Sequence, residues 1–167
     1  MTIERKKPVR KRNRLKNYDY SQNGAYFITI CSKDKQWLFW DVGASTARPT
    51  EEADLSYIGR IVAEMIAEIP KRYSYIKVDN YVVMPNHVHL LLMVCADERG
   101  RAMHAPTPDI SRVVQHLKGA VTKKAGKTIW QKSFHDHVIR DEKDYLKIYE
   151  YIDNNPVRWE MDSLNIW

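Results

Sequence analysis

The sequence predicts an α+β protein, an antiparallel sheet with helices packed on it, in the β, α, β, β, α, β, α order of a ferredoxin-like split βαβ. Three observations lead there. Strand-like apolar runs recur at 24–33, 75–84 and 87–94. Apolar stripes at helical spacing lie between and after them. A tight-turn dipeptide, Pro85-Asn86, joins two of the runs and makes them antiparallel.

Each element has its own warrant. "GAYFITICSK" (24–33) is rich in aromatic and β-branched residues, and "QWLFW" can continue it after a turn at Asp34. Residues 41–54 read as a surface connection. From Ser56, the stripe Ile58, Ile61, Val62, Met65, Ile66 and Ile69 predicts a helix ending at Pro70. "YIKVDNYVVM" is a second strand, and the run after Pro85-Asn86 folds back against it. Residues 96–109 form a polar, proline-bearing loop. A second helix buries Val113, Val114, Leu117 and Val121, with Asp109 or Ser111 as its cap. "TIWQ" and "FHDHVIR" read as short strands. A third helix runs from about Asp141 to Asn154, and Pro156 limits its extension. There are no internal repeats.

Composition is that of a soluble globular protein, with 44% hydrophobic and 29% charged residues in 167. The longest apolar run, Leu90 to Ala96, is far short of the ~20 residues a bilayer span requires. The basic N-terminus has no signal-peptide core. Cys31 and Cys95 show no framework spacing and read as buried free thiols, so a cytoplasmic, reducing location is expected. The net charge of +6 is uneven. Residues 1–16 read as a flexible basic arm of net +7, carrying Arg5, Lys6, Lys7, Arg10, Lys11, Arg12, Arg14 and Lys16; residues 17–167 form a single domain of net −1. So dense a run beside a near-neutral domain suits a polyanion. It has no apolar stripe for a membrane, which favours nucleic acid.

The run "YVVMPNHVHLLLMV" (81–94) sets two histidines into a sheet interior. Strand alternation points His87 and His89 to the same face. Such a pair is either half a metal site or two core-edge imidazoles satisfied by hydrogen bonds. In "DEKDYLKIYEYIDNNPVR" (141–158), Tyr145, Ile148, Tyr149 and Ile152 form the packing stripe. Tyr151 lies roughly 110° from the centre of that stripe. Asn155, four residues on, and Lys147, four before, share its flank. This flank is either a solvated border or a site.

"YVVMPNHVHLLL", "WQKSFHDHVIR", "YEYIDNNPVRW" and the opening "YDYSQNGAYFITICSKDKQWLF" together resemble the single-tyrosine HUH (His–hydrophobic–His) transposases, especially the REP-associated tyrosine transposases. The resemblance covers Asn17 to Trp159 and implies the RRM-like HUH nuclease version of the fold. It implies that His87 and His89 bind a metal, that Tyr151 is the nucleophile, and that Asn155 completes the metal site. It further implies cleavage and rejoining of single-stranded DNA at imperfect hairpins through a 5′-phosphotyrosine, by a monomer or a homodimer. Lys147 is placed by helix geometry, not by the resemblance, to contact the phosphate or the phenolate. An open His, His, Asn set facing a phosphate suits Mg²⁺ or Mn²⁺ better than zinc.

Two rivals stand beside this reading. One is a non-catalytic protein binding DNA or RNA hairpins with a ferredoxin-like sheet and a basic arm. The other uses a second same-face pair, His135 and His137, with His87 and His89 as a zinc-dependent hydrolase.

Overall fold

The computed structural model describes residues 18–41, 55–95, 109–161 and 163–164. Four antiparallel strands, β1 (Gly24–Cys31), β2 (Ile76–Val83), β3 (His87–Val94) and β4 (His135–Ile139), form one sheet in the order β2-β3-β1-β4. The helices are α1 (Tyr57–Ala67), the short α2 (Ile69–Arg72), α3 (Ile110–Ala125) and α4 (Glu142–Asn154). This is the expected split βαβ arrangement, with α4 appended.

The central strands β1 and β3 are covered on both faces, which is why β3 reads as a nearly unbroken apolar run. On one face Tyr26, Ile28 and Ile30 of β1 and Val88, Leu90 and Leu92 of β3 pack against Val62 and Ile66 of α1 and Val113, Leu117 and Val121 of α3. On the other, Ala25 and Leu91 meet Ile148 and Ile152 of α4, flanked by Tyr145 and Tyr149. The stripe read from the sequence is therefore the face that α4 buries. Two isoleucines contribute about 1.5–3 kcal/mol each, so α4 is held by a small apolar patch.

Polar ties supplement that patch. Strand β2 has a register shift between Val78 and Asn80. A bulge of this kind re-aims side chains. Asp79 accepts from the Tyr145 hydroxyl, and the Asn80 amide donates to Asp153 at 2.8 Å. On the β4 side, His137 Nε2 lies 2.7 Å from Asp144 of α4.

Several boundaries differ from expectation. "QWLFW" does not extend β1: a 3-10 turn at Lys33–Lys35 diverts the chain, with Asp34 and Lys35 at φ 55° and 53°. Left-handed backbone costs a non-glycine residue about 1–2 kcal/mol, so the surroundings must impose this turn. Leu38 and Phe39 then donate to the Pro85 carbonyl at 2.9 and 3.1 Å. Gly59 of α1 sits so close to this segment that a Cβ would lie 2.1 Å from the Phe39 carbonyl oxygen. "TIWQ" makes only an isolated bridge, Trp130 with Ser32. Pro70 starts α2 rather than closing the helical stretch, since the first turn needs no N–H. Asp109, not Ser111, caps α3, accepting from Arg112 N. Neither cysteine is in a disulfide, and Cys31 is buried, but Cys95 is exposed, because it lies just past the end of β3. The arm, residues 1–16, lies outside the described residues. Among the described residues no helix is long and apolar enough to cross a membrane.

Candidate active site

His87 and His89 open β3 on the face that α4 partly covers. They are 0% and 2% exposed, and their Nε2 atoms lie 3.0 Å apart. The opposite nitrogen of each ring is anchored. His87 Nδ1 is 2.8 Å from Asn86 Oδ1, and Asn86 Nδ2 donates to the Leu164 carbonyl at 2.8 Å. Because the amide nitrogen is committed to a carbonyl, Asn86 Oδ1 must accept, so His87 carries its proton on Nδ1 and a lone pair on Nε2. His89 Nδ1 is 2.8 Å from the Thr29 hydroxyl, its register partner on β1. When that hydroxyl accepts, His89 also presents a lone pair at Nε2. Partners of this kind orient metal-binding imidazoles. Burial, aided by the nearby Lys35 charge, lowers the His87 pKa to about 3. The ring is therefore neutral, as a ligand must be.

The Nε2–Nε2 separation of 3.0 Å lets both rings reach one ion. It is equally a hydrogen bond from His89 Nε2–H to the His87 Nε2 lone pair, formed when the Thr29 hydroxyl donates to His89 Nδ1 instead of accepting from it.

Helix α4 brings Tyr151 to this pair. Its hydroxyl is 3.3 Å from His89 Nε2, and its ring packs edge-on against His89 at 5.2 Å and Phe27 at 6.0 Å. At 43% exposed, the phenol remains reachable by a large substrate. Tyr145 and Tyr149 belong to the sheet-facing stripe. Asn155, one turn past Tyr151, caps α4 and is 3% exposed. Lys147, one turn before it, is exposed.

His135 and His137 do not join the pair. In β4 they register with Thr29 and Phe27 of β1, so β1 lies between them and β3, a backbone separation of roughly 10 Å. His137 is engaged with Asp144. Among the described residues, no three His, Cys, Asp or Glu side chains come together as a metal site. The four-histidine zinc centre is not assembled.

Sequence reasoning did not find Thr29, Phe27 or Trp159, whose ring centre lies 5.7 Å from that of His87. It saw Asn86 only as a turn residue. Strand register decides the first two, and nothing local encodes it.

A family model described as "Transposase IS200 like" matches residues 54–155. An uncharacterised Haemophilus influenzae protein is 36% identical, over 92% of this chain and 91% of its own length. A REP-associated tyrosine transposase of Escherichia coli is 32% identical over 53% of this chain and 48% of its own. In fold, the chain is similar to a solved REP-associated tyrosine transposase bound to a REP hairpin, with a TM-score of 0.61, 22% identity, and coverage of 92% of this chain and 79% of that one. The resemblance carried by the His-Val-His and Tyr-Ile segments is thus matched across most of the chain, which belongs to the IS200-like transposase family.

Proposed function

We propose that this protein cuts and rejoins single-stranded DNA at imperfect hairpins, with Tyr151 as nucleophile and His87, His89 and Asn155 as ligands of Mg²⁺ or Mn²⁺. One observation carries the reading: a half-exposed phenol lies 3.3 Å from one of two buried, oriented imidazoles. A core histidine pair needs no tyrosine, and a helix border needs no histidines. The REP-associated relative of similar fold binds a REP hairpin, which supports hairpin DNA as the substrate.

The chemistry is a transesterification. Tyr151 Oη forms a bond to the phosphorus of a phosphodiester while the bond to the 3′-oxygen breaks. The phenol gives up its proton, and the departing 3′-oxygen gains one. The product is a 5′-phosphotyrosine and a free 3′-hydroxyl, which can return and reseal the strand. A divalent ion, when bound, supplies charge neutralisation and orientation of a phosphate oxygen. The packing of α4 holds the Tyr151 hydroxyl 3.3 Å from His89 Nε2, and positioning of this sort supplies much of a catalytic rate. Lys147 offers a positive charge for the phosphate or the phenolate. The basic residues from Arg5 to Lys16 would hold phosphates elsewhere on the strand.

A denaturing gel of the protein with a hairpin oligonucleotide and Mn²⁺ tests this directly. A covalent adduct should form with the native chain and with Tyr145→Phe and Tyr149→Phe, but not with Tyr151→Phe, which should still bind the hairpin. An adduct in Tyr151→Phe would remove the nucleophile assignment, and the absence of any adduct would favour a pure binding protein.

A further inference from the structure

Across the buried Trp159 from His87 stands an aromatic residue with no part in the proposed cleavage. Trp37 is 42% exposed. Its ring meets the fully buried Trp159 edge-on at 5.7 Å, and Trp159 in turn lies 5.7 Å from His87. Trp37 is therefore at most about 11 Å from the His87 ring, a span of roughly three stacked nucleotides at ~3.4 Å each.

The segment presenting it is rigidly built. Ser32 N donates to the Asn86 carbonyl at 2.8 Å, Ser32 Oγ to the Gln36 carbonyl at 2.7 Å, and Lys33 N to the Ile129 carbonyl at 2.7 Å. Immediately beyond Trp37, Leu38 and Phe39 are tied to Pro85. The turn that orients His87 thus also fixes Trp37. In the 3-10 turn that precedes Trp37, Asp34 and Lys35 hold left-handed backbone that neither residue favours, and retained strain of this kind clusters at ligand-binding segments. Lys33 and Lys35 flank the exposed Asp34, leaving the turn with a net positive charge.

We propose that Trp37 is a stacking platform for an unpaired DNA base close to the scissile phosphate, with Lys33 and Lys35 contacting the adjacent phosphates. An exposed indole held rigidly beside cationic groups is how proteins grip single strands without reading their sequence. The proposal rests on the reading of Tyr151 and the histidine pair as a DNA-cleaving site, and adds the grip on the strand next to the cut.

The test is equilibrium binding by fluorescence anisotropy with the full chain in chelator, where no cleavage complicates the measurement. The probes are an oligothymidylate of about twelve nucleotides and a blunt DNA hairpin. Trp37→Ala should weaken oligothymidylate binding by roughly 5- to 150-fold, the loss expected for one stacked base, and leave the blunt hairpin unaffected. Trp37→Phe should retain most of the affinity. Trp37→Leu, which keeps apolar bulk but has no π-face, should lose it, and this pair decides the matter if the alanine variant folds poorly. Equal binding by the leucine and phenylalanine variants, or equal losses on both probes, overturns the proposal. Because binding is read without cleavage, the two failures are distinguishable: a failed adduct assay removes the cutting site that the platform would serve, whereas unchanged binding in Trp37→Leu removes the platform alone.

Discussion

At the scale of single residues, the decisive groups are those that orient the two imidazoles. Asn86 and Thr29 each bond an Nδ1 at 2.8 Å, which leaves the Nε2 atoms directed at each other. Thr29→Val, nearly the same shape, and Asn86→Ala should each weaken Mn²⁺ binding by about 10- to 100-fold, measured by isothermal titration calorimetry. Unchanged affinity in both would mean that the metal is held elsewhere. His87 also makes a pH prediction. Its native pKa is lowered to about 3 by burial and then by Lys35, while the unfolded ring titrates near ~6.5. Between these values the unfolded state binds the extra proton, so stability is full above about pH 6.5 and falls as the pH drops toward 3, by up to about 1.4 kcal/mol per unit. Urea melts across this window should show a shallower pH dependence in His87→Gln than in the native chain.

At the scale of elements, α4 stands apart from the other long helices. It buries only Ile148 and Ile152 fully, whereas α3 buries Ile110, Val113, Val114, Leu117 and Val121. Its orientation, and with it the direction of Tyr151, depends on the bonds Tyr145–Asp79 and Asp153–Asn80 at the bulged β2. Such bonds contribute about 0.5–1.5 kcal/mol each. The double variant Asp79→Ala with Asn80→Ala should speed hydrogen exchange in α4 while α1 and α3 keep their protection, and should slow adduct formation with little loss of hairpin binding. Equal acceleration in all three helices would show that the bulge supports the whole fold rather than α4.

At the scale of the whole molecule, charge is divided between two parts. Residues 1–16 carry net +7 and the remainder net −1. The arm's expected work is phosphate neutralisation, which is blind to base sequence. Removing it should weaken DNA binding broadly and leave the position of the cut unchanged. If about three of its basic residues touch phosphates, the slope of log affinity against log salt should fall by ~2 units, at ~0.7 per contact for single strands. An unchanged slope in the truncated chain would assign the phosphate contacts to the domain.

By itself the sequence determined what depends on local period and local chemistry. Strand alternation put His87 and His89 on one face, and helical spacing separated Tyr151 from the stripe of Tyr145, Ile148, Tyr149 and Ile152. Composition set the charge apart in the arm. Those periods follow from backbone geometry, so a short window suffices to read them. Tertiary structure alone decided which face met which. The register of β1 on β3 brought Thr29 to His89, the β2 bulge tied down α4, and the strained turn at Asp34 and Lys35 stopped β1 and led Trp37 onto Trp159, which packs on His87. Each of these joins groups distant in the chain, and a contact between distant segments is selected by the packing of the whole sheet rather than by any residue's own preference.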